Sequence, residues 1–436
     1  MYRYAINDLI AWKNSPNHMP LIIKGARQVG KTWLMQEFGK TQYKKVAYIS
    51  FDSNPRLDTL FKKDFNIKRL IDGLNIEVGF NITPKDTLII FDEIQENPLV
   101  LTSLKYFCEN APEYDIVAAG SLLGVAHHSG TGFPVGKVDY LNLYPLSFKE
   151  FLFAMNENQM LEIIYKNDFE MQKVFKERII DLLRRYCYVG GMPKAVLSFL
   201  QKQDYNLVRK IQRNILNDYE GDFSKHIPPE QVERTRLLWN AIPSQLVKEN
   251  KKCVYGKIKQ GARAKDFEIA LNWLIDSGLV HKVSRVTEPK MPLKAYEDVS
   301  AYKLFLLDVG LLGAMNDLDS HSILENDKLF NDYNGAVTEQ YVLQEFKTLN
   351  DLPIFYWASN RAELDFLIQY KNNVIPVEAK ATINLQAKSL KSFRQKFEPK
   401  ISIRTSLADY EENIGLFNIP LYDIENVKEI IKILLK

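Results

Sequence analysis

At 436 residues the chain is too long for one ordinary hydrophobic core, and two to four domains are expected. An apolar fraction of 46% beside 25% charged residues excludes wholesale disorder, and a formal net charge of +3 is too mild to diagnose nucleic-acid binding. The three cysteines, Cys108, Cys187 and Cys253, stand far apart with no CxxC pair, which argues against a Cys-based zinc site and fits a reducing compartment.

The chain opens MYRYAINDLIAWKNS, where Arg3 and Asp8 interrupt the apolar pattern and exclude a secretory signal. No apolar run approaches the roughly 18 residues of a membrane span; the best, LFLLDVGLLGAM, is short and holds Asp308. A soluble, cytoplasmic protein without a membrane partner is expected. PLIIK, a short apolar run suited to a buried parallel strand, then leads into GARQVGKT, residues 25–32. The octet fits GxxxxGK[ST]. Its glycines let backbone N–H groups curl around phosphate oxygens, Lys31 neutralises the β- and γ-phosphates, and the Thr32 hydroxyl holds Mg²⁺. Gly25, Ala26, Arg27, Gln28, Val29, Gly30, Lys31, Thr32 and Trp33 are the expected nucleotide contacts. TWLMQEFGK follows at helical spacing with Gly39 as its expected stop, and the helix N-terminus adds a favourable field for phosphate.

KVAYISFD, residues 45–52, reads as a second strand. TLIIFDEIQ, residues 87–95, ends four apolar residues in Asp92-Glu93, the form of a Walker B strand. Asp92 would hold Mg²⁺, and Glu93 would orient and deprotonate the attacking water. Two adjacent acids favour hydrolysis over transfer to a small acceptor; a solvated strand end is the plainer reading. YDIVAAGSLLG, residues 114–124, reaches Gly120-Ser121, where Ser121 could sense the γ-phosphate or be an ordinary turn serine. Alternating βα units of this kind predict a doubly wound parallel sheet, with a P-loop core over residues 1–147.

GARQVGKT, IIFDEIQ, AAGSLLG, FPVGKV, LYPLSFKEFL and YVGGMPKAVLSFL follow one another in an order that resembles a family of bacterial and archaeal AAA-superfamily ATPases with an uncharacterised C-terminal domain. The resemblance implies ATP binding with Mg²⁺ and ATP hydrolysis. Such ATPases usually need an arginine finger, often from a neighbouring subunit, so an oligomer is compatible with the sequence. Arg178, Arg184, Arg185 and Lys137 are the candidates, each with the alternative of a surface charge or helix ion pair.

Residues 148–225 read as a helical lid, broken by Gly190-Gly191 and Pro193. Over residues 226–300, helix candidates PEQVERTRLLWNAI and AKDFEIALNWLIDSG precede LVHKVSRV and LKAYEDV, a pattern expected for a winged-helix-like module. Between 248 and 265 stand Lys248, Lys251, Lys252, Lys257, Lys259, Arg263 and Lys265, which could contact phosphates or form a solvated face.

Residues 301–436 carry a second chemical pattern. WASNRAELDFLIQYKNNVIPVEAKAT reads as two strands around Lys371-Asn372-Asn373, with Asp365 in the first and Glu378-Ala379-Lys380 ending the second. A carboxylate followed by Glu-x-Lys on an adjacent strand is the core of a restriction-endonuclease-like, PD-(D/E)xK, fold. Asp365 and Glu378 would share a metal, and Lys380 would position the water. Glu339 falls on the apolar stripe of a predicted helix with Ala336, Leu343 and Phe346, where a carboxylate is costly unless paired or metal-bound. It would complete the metal set, and the family resemblance points the same way. Two functions stay open: ATP-dependent binding or cleavage of DNA or RNA, and a nucleotide-driven switch whose inactive C-terminal domain docks a protein.

Overall fold

The computed structural model describes all residues except Ser53, 121–133, 248–251, 319–330, Asp351, Arg361, Asn384 and Lys436, and the side chains of residues 331–334. The chain divides into two compact units, Met1–Tyr144 with Asp276–Gly278, and Pro145–Ile275 with Leu279–Lys436.

The first unit contains α1 (Ala5–Asn14), β1 (Leu21–Lys24), α2 (Lys31–Gln42), β2 (Lys45–Ser50), α3 (Pro55–Lys63) and α4 (Ile67–Val78). β3 (Thr87–Asp92), α5 (Pro98–Asn110), β4 (Asp115–Ala119) and β5 (Asp139–Asn142) follow. Its sheet has the order β2-β3-β4-β1-β5 and every pair is parallel. The sheet is thus the parallel α/β architecture expected. β3 and β4 are buried at every position, which explains their unbroken apolar sequences. Phe51, Phe61, Phe91 and Phe107 meet edge to face on one side of it, with ring centroids 5.5–6.3 Å apart along the chain of contacts. Gly39 does not stop α2, which runs on to Gln42. A Cβ at Gly39 would meet the Val46 side chain at 2.6 Å, so the glycine lets the helix lie close against β2.

The second unit begins with α6 (Phe148–Ala154), α7 (Asn158–Tyr165), α8 (Phe169–Val174), α9 (Lys176–Val189), α10 (Pro193–Lys202), α11 (Tyr205–His226), α12 (Pro229–Leu246) and α13 (Glu268–Asp276). Then come β6 (Val280–Val286), β7 (Glu297–Leu306), α14 (Val309–Met315), α15 (Asn331–Thr348), β8 (Ile354–Ala358), β9 (Glu363–Tyr370) and β10 (Asn373–Ala379). α16 (Lys388–Phe397), β11 (Ser402–Ser406), β12 (Glu411–Asn413), β13 (Leu416–Pro420) and α17 (Val427–Leu434) complete it. Eight strands form one mixed sheet in the order β12-β13-β11-β10-β9-β8-β6-β7. The hairpin expected as a wing is therefore the edge of this sheet: β6 pairs antiparallel with β7 and parallel with β8. The boundary expected after residue 300 falls inside β7.

The two sequence motifs LYPLSFKEF and YVGGMP meet in this unit. The Leu146 N–H donates to the Gly191 carbonyl at 2.7 Å, and a Cβ on Gly191 would lie 2.1 Å from the Leu146 oxygen. Asp308, fully buried, accepts from the Gly191 N–H at 2.6 Å and caps α14 by accepting from the Leu311 N–H at 3.0 Å. α15 is buried along residues 336–346 rather than along one stripe, and its polar side chains are used. Gln340 exchanges two hydrogen bonds with the Leu306 backbone, and Gln344 accepts from the Val309 N–H. Glu345 accepts from the Phe148 N–H at 3.1 Å.

Candidate functional site

β1 ends at Lys24 and α2 starts at Lys31, so GARQVGKT is the loop between a buried strand and a helix N-terminus. Gly25 passes so close to the chain end of β5 that a Cβ would sit 2.3 Å from the Leu143 carbonyl oxygen. Gly30 caps the helix at φ 98°, a left-handed conformation that side chains resist. Arg3 braces the same loop: it donates to the Val29 carbonyl at 2.9 Å and to the Tyr144 carbonyl at 2.6 Å.

Lys31 is 8% exposed, and its ammonium donates to the Gly25 and Ala26 carbonyls, each at 2.8 Å. Burial lowers its pKa to about 8, against the opposing pull of Glu93 and Asp92. The Thr32 hydroxyl donates to Asp92 Oδ2 at 2.7 Å, across the 60 residues that separate the two motifs. β4 lies between β1 and β3 in the sheet, and both motifs emerge at the carboxyl ends of their strands. Asp92 is buried, and the Tyr48 hydroxyl on β2 donates to the same Oδ2 at 3.0 Å. Burial, then the Asp92 charge, pushes the Tyr48 phenol up to about 12. Glu93 adopts φ 53°, its N–H donates to Asp92 Oδ1 at 3.0 Å, and its Oε2 accepts from Gln95 at 2.7 Å. Trp33 is 40% exposed beside this loop, and Arg27 is exposed on it. Ser121 lies outside the described residues.

The sequence identified Lys31, Thr32, Asp92 and Glu93 as one group, and Lys31 and Thr32 stand beside the acids. Arg3, Tyr48 and Gln95 were missed. Arg3 could have been noticed as a guanidinium in an apolar opening; Tyr48 carries no signal in a strand already rich in aromatics.

Three of the four arginine-finger candidates hold local partners. Arg178 pairs with Glu157 at 2.8 Å, Arg185 with Asp181 at 2.9 Å and Lys137 with Glu109 at 3.1 Å. Lys248 and Lys251 of the basic stretch lie outside the described residues. Lys259, from the same stretch, faces a cavity that also carries Glu230, Glu233, Arg234 and Asp266, so that surface is mixed in charge.

In the second unit, Glu339 on α15, Asp365 on β9 and Glu378 on β10 lie in one neighbourhood. Asp365 Oδ2 accepts from the Ala379 N–H at 2.8 Å, and Lys380 donates to Glu378 Oε1 at 2.7 Å. Burial raises the Glu378 pKa, and Lys380 opposes it. The metal set is corrected: among the described residues no three His, Cys, Asp or Glu side chains are grouped to hold a metal ion. A lysine that the sequence reading missed lies among these acids. Lys303 on β7 is fully buried, 3.6 Å from Glu339 and 2.7 Å from Glu363. Burial would lower its pKa, yet Glu339, Glu363 and Asp365 together raise it. The signal was present, since AYKLFLL sets a single cation inside an apolar strand. Tyr356 and Trp357 are buried, with Trp357 edge-on to Phe393.

Among the described residues, no helix is long and apolar enough to cross a membrane. Residues 17–152 match the AAA domain family, residues 180–322 a domain of unknown function (DUF8612), and residues 334–424 another (DUF4143). No curated relative matches the chain. Among solved structures, the Walker-type ATPase PABY2304 of Pyrococcus abyssi is 13% identical with a TM-score of 0.44, covering 71% of this chain and 94% of its own. The Orc1 protein of Aeropyrum pernix in complex with DNA is 12% identical with a TM-score of 0.28, covering 73% and 93%. AMPPCP-bound DnaA from Aquifex aeolicus is 12% identical with a TM-score of 0.29, covering 63% and 90%. At these scores the structural likenesses carry no functional argument.

Proposed function

We propose that this chain, whose residues 17–152 are an AAA-type P-loop domain, binds ATP with Mg²⁺ and hydrolyses it. The observation that carries the reading is the 2.7 Å hydrogen bond from Thr32 of the P-loop to Asp92 of β3. It joins two motifs sixty residues apart into one cluster of hard oxygen donors beside a buried ammonium, a set that suits Mg²⁺ together with phosphate. Thr32 and Asp92 would hold the ion, which supplies Lewis-acid neutralisation of phosphate charge when bound. The Gly25–Lys31 backbone would follow the phosphate chain, and Lys31 would exchange its two loop carbonyls for phosphate oxygens. Glu93, anchored by Gln95, would take a proton from the attacking water. Tyr48 would fix the Asp92 carboxylate.

The C-terminal strands, with Asp365, Glu378-Ala379-Lys380 and Glu339 together, support a restriction-endonuclease-like fold as our reading of residues 301–436. The Lys303 ammonium among the acids favours a switch over a metal-dependent nuclease. In this reading nucleotide turnover controls docking of a protein partner by the second unit. The test is paired. Purified protein should release phosphate from ATP only with Mg²⁺, and Glu93→Gln should keep ATP binding while losing about 10²–10⁴ of the rate. Hydrolysis unchanged in Glu93→Gln would refute the assigned base. Cutting of DNA or RNA that Asp365→Ala abolishes would refute the switch.

A further inference from the structure

We infer that a cavity beside α11 is the binding site of a small phosphomonoester with a polar, polyol-like body. This inference is independent of the nucleotide site. The cavity measures about 530 Å³ and every residue that lines it belongs to the second unit. That volume falls within the roughly 300–1,000 Å³ of small-molecule sites. One wall is a face of α11, where Asn206, Arg209, Lys210, Arg213, Asn214 and Asn217 line the space. They stand three, four, seven, eight and eleven residues on from Asn206, the spacing that stacks side chains along one side of a helix. Tyr188 of α9 and Asp317-Leu318, just past α14, also line it. Three cations face one carboxylate, which leaves two positive charges. A phosphomonoester carries about −1.5 to −2 at pH 7 and matches that balance.

Arg209 is in place before any ligand arrives. It is buried, its Nη1 donates to Gln212 Oε1 at 2.7 Å and to the Gly310 carbonyl at 3.1 Å, and its guanidinium lies 4.3 Å over the Tyr188 ring. Gly313 makes room for it, since a Cβ there would lie 3.3 Å from both terminal nitrogens. A guanidinium already fixed loses little freedom when an oxyanion binds. Arg213 already holds an anion: it donates to Asp317 Oδ1 at 2.8 Å, and both side chains are exposed. An exposed pair of this kind is weak, so a dianion that also meets Arg209 and Lys210 displaces the carboxylate. The remaining groups select the body of the ligand. The amides of Asn206, Asn214 and Asn217 both donate to and accept from hydroxyls. Among the described lining residues Leu318 is the one aliphatic side chain and Tyr188 the one aromatic, buried with Arg209 over its ring. A nucleobase has no free ring to stack on here, which disfavours a nucleotide and single-stranded nucleic acid.

The experiment titrates the terminal phosphomonoesters of glucose, ribose and glycerol into the full chain carrying Lys31→Ala, which removes the P-loop ammonium, and follows them by phosphorus NMR. Inorganic phosphate and a short DNA strand are titrated beside them. The same series is run with Lys210→Gln/Arg213→Gln added and with Asp317→Asn added, each protein confirmed folded by circular dichroism. All three positions are exposed, and Asn tolerates the left-handed φ of 52° at residue 317. At least one ester should bind saturably with a Kd of about 1 mM or tighter, and inorganic phosphate more weakly. Lys210→Gln/Arg213→Gln should weaken that ester about tenfold or more. Asp317→Asn should tighten it about two- to fivefold by releasing Arg213. Saturable binding of none of the three esters up to about 10 mM overturns the inference, as does binding that Lys210→Gln/Arg213→Gln leaves unchanged. Inorganic phosphate that binds as tightly as the esters marks an adventitious ion only and overturns it. A DNA strand that binds more tightly than every ester through the same two cations overturns it in favour of a nucleic-acid surface. If Lys31→Ala does not fold, wild type against Lys210→Gln/Arg213→Gln decides by the same outcomes, because both carry the same P-loop.

Discussion

Lys31 sets the pH behaviour of the nucleotide site. Its pKa of about 8 is low because the ammonium is buried, and a bound phosphate would favour the charged form. Phosphate binding therefore raises this pKa, so the ammonium's contribution to affinity is complete below pH 8 and is lost as pH rises above it. The apparent Kd for MgATP should be flat from neutral pH to about 8 and then climb towards tenfold per pH unit, as fluorescence titration would read. Tyr48→Phe removes one of the two hydroxyls that Asp92 Oδ2 accepts from. It should raise the Mg²⁺ concentration needed for half-maximal hydrolysis by about tenfold, while nucleotide binding without Mg²⁺ stays as in wild type. At this scale the sequence was most informative where spacing fixes chemistry. Gly25, Gly30, Lys31 and Thr32 fall within eight consecutive residues, and the Asp92-Glu93 pair ends a strand with an apolar lead-in. Arg3, Tyr48 and Lys303 were harder to read because each acts through a contact between residues far apart in the chain. Tyr48 alone looks locally ordinary; Arg3 and Lys303 are each a cation set in an apolar stretch, and the chain order does not show what they meet.

Asp308 joins elements that the sequence presents as unrelated. It caps α14 and accepts from the backbone of the Gly190-Gly191 turn. Asp308→Ala would remove the cap and leave the Gly191 N–H without this acceptor in a buried place. The expected loss is about 2–4 kcal/mol in urea unfolding, and a loss below about 0.5 kcal/mol, the level of an ordinary surface change, would contradict it. Strand and helix periodicity located most elements, because β3, β4 and α2 each carry one consistent pattern. Gly39 misled because helix stops and close helix–strand approach both select glycine. The hairpin of β6 and β7 misled for a different reason. Two strands after a helix read alike whether they stand as a wing or extend a sheet, and pairing with β8, some seventy residues on, has no local signature.

At the scale of the molecule, the P-loop core was legible because its βα units alternate within one continuous segment. The second unit was not, since its sheet gathers strands from residues 280 to 420 around helices that precede and interrupt them. β6 pairs with both β7 and β8, so a fragment beginning at residue 301 would expose unpaired strand edges. Calorimetry of fragment 301–436 should show no cooperative melting transition; a sharp one would restore the boundary expected from the sequence. The account as a whole rests on the Lys31–Thr32–Asp92 cluster being a nucleotide site. Isothermal titration of MgATP into wild-type protein and Lys31→Ala, both confirmed folded by circular dichroism, measures it directly. The predicted result is saturable binding to wild type and none to Lys31→Ala; equal binding by both, or by neither, would contradict it.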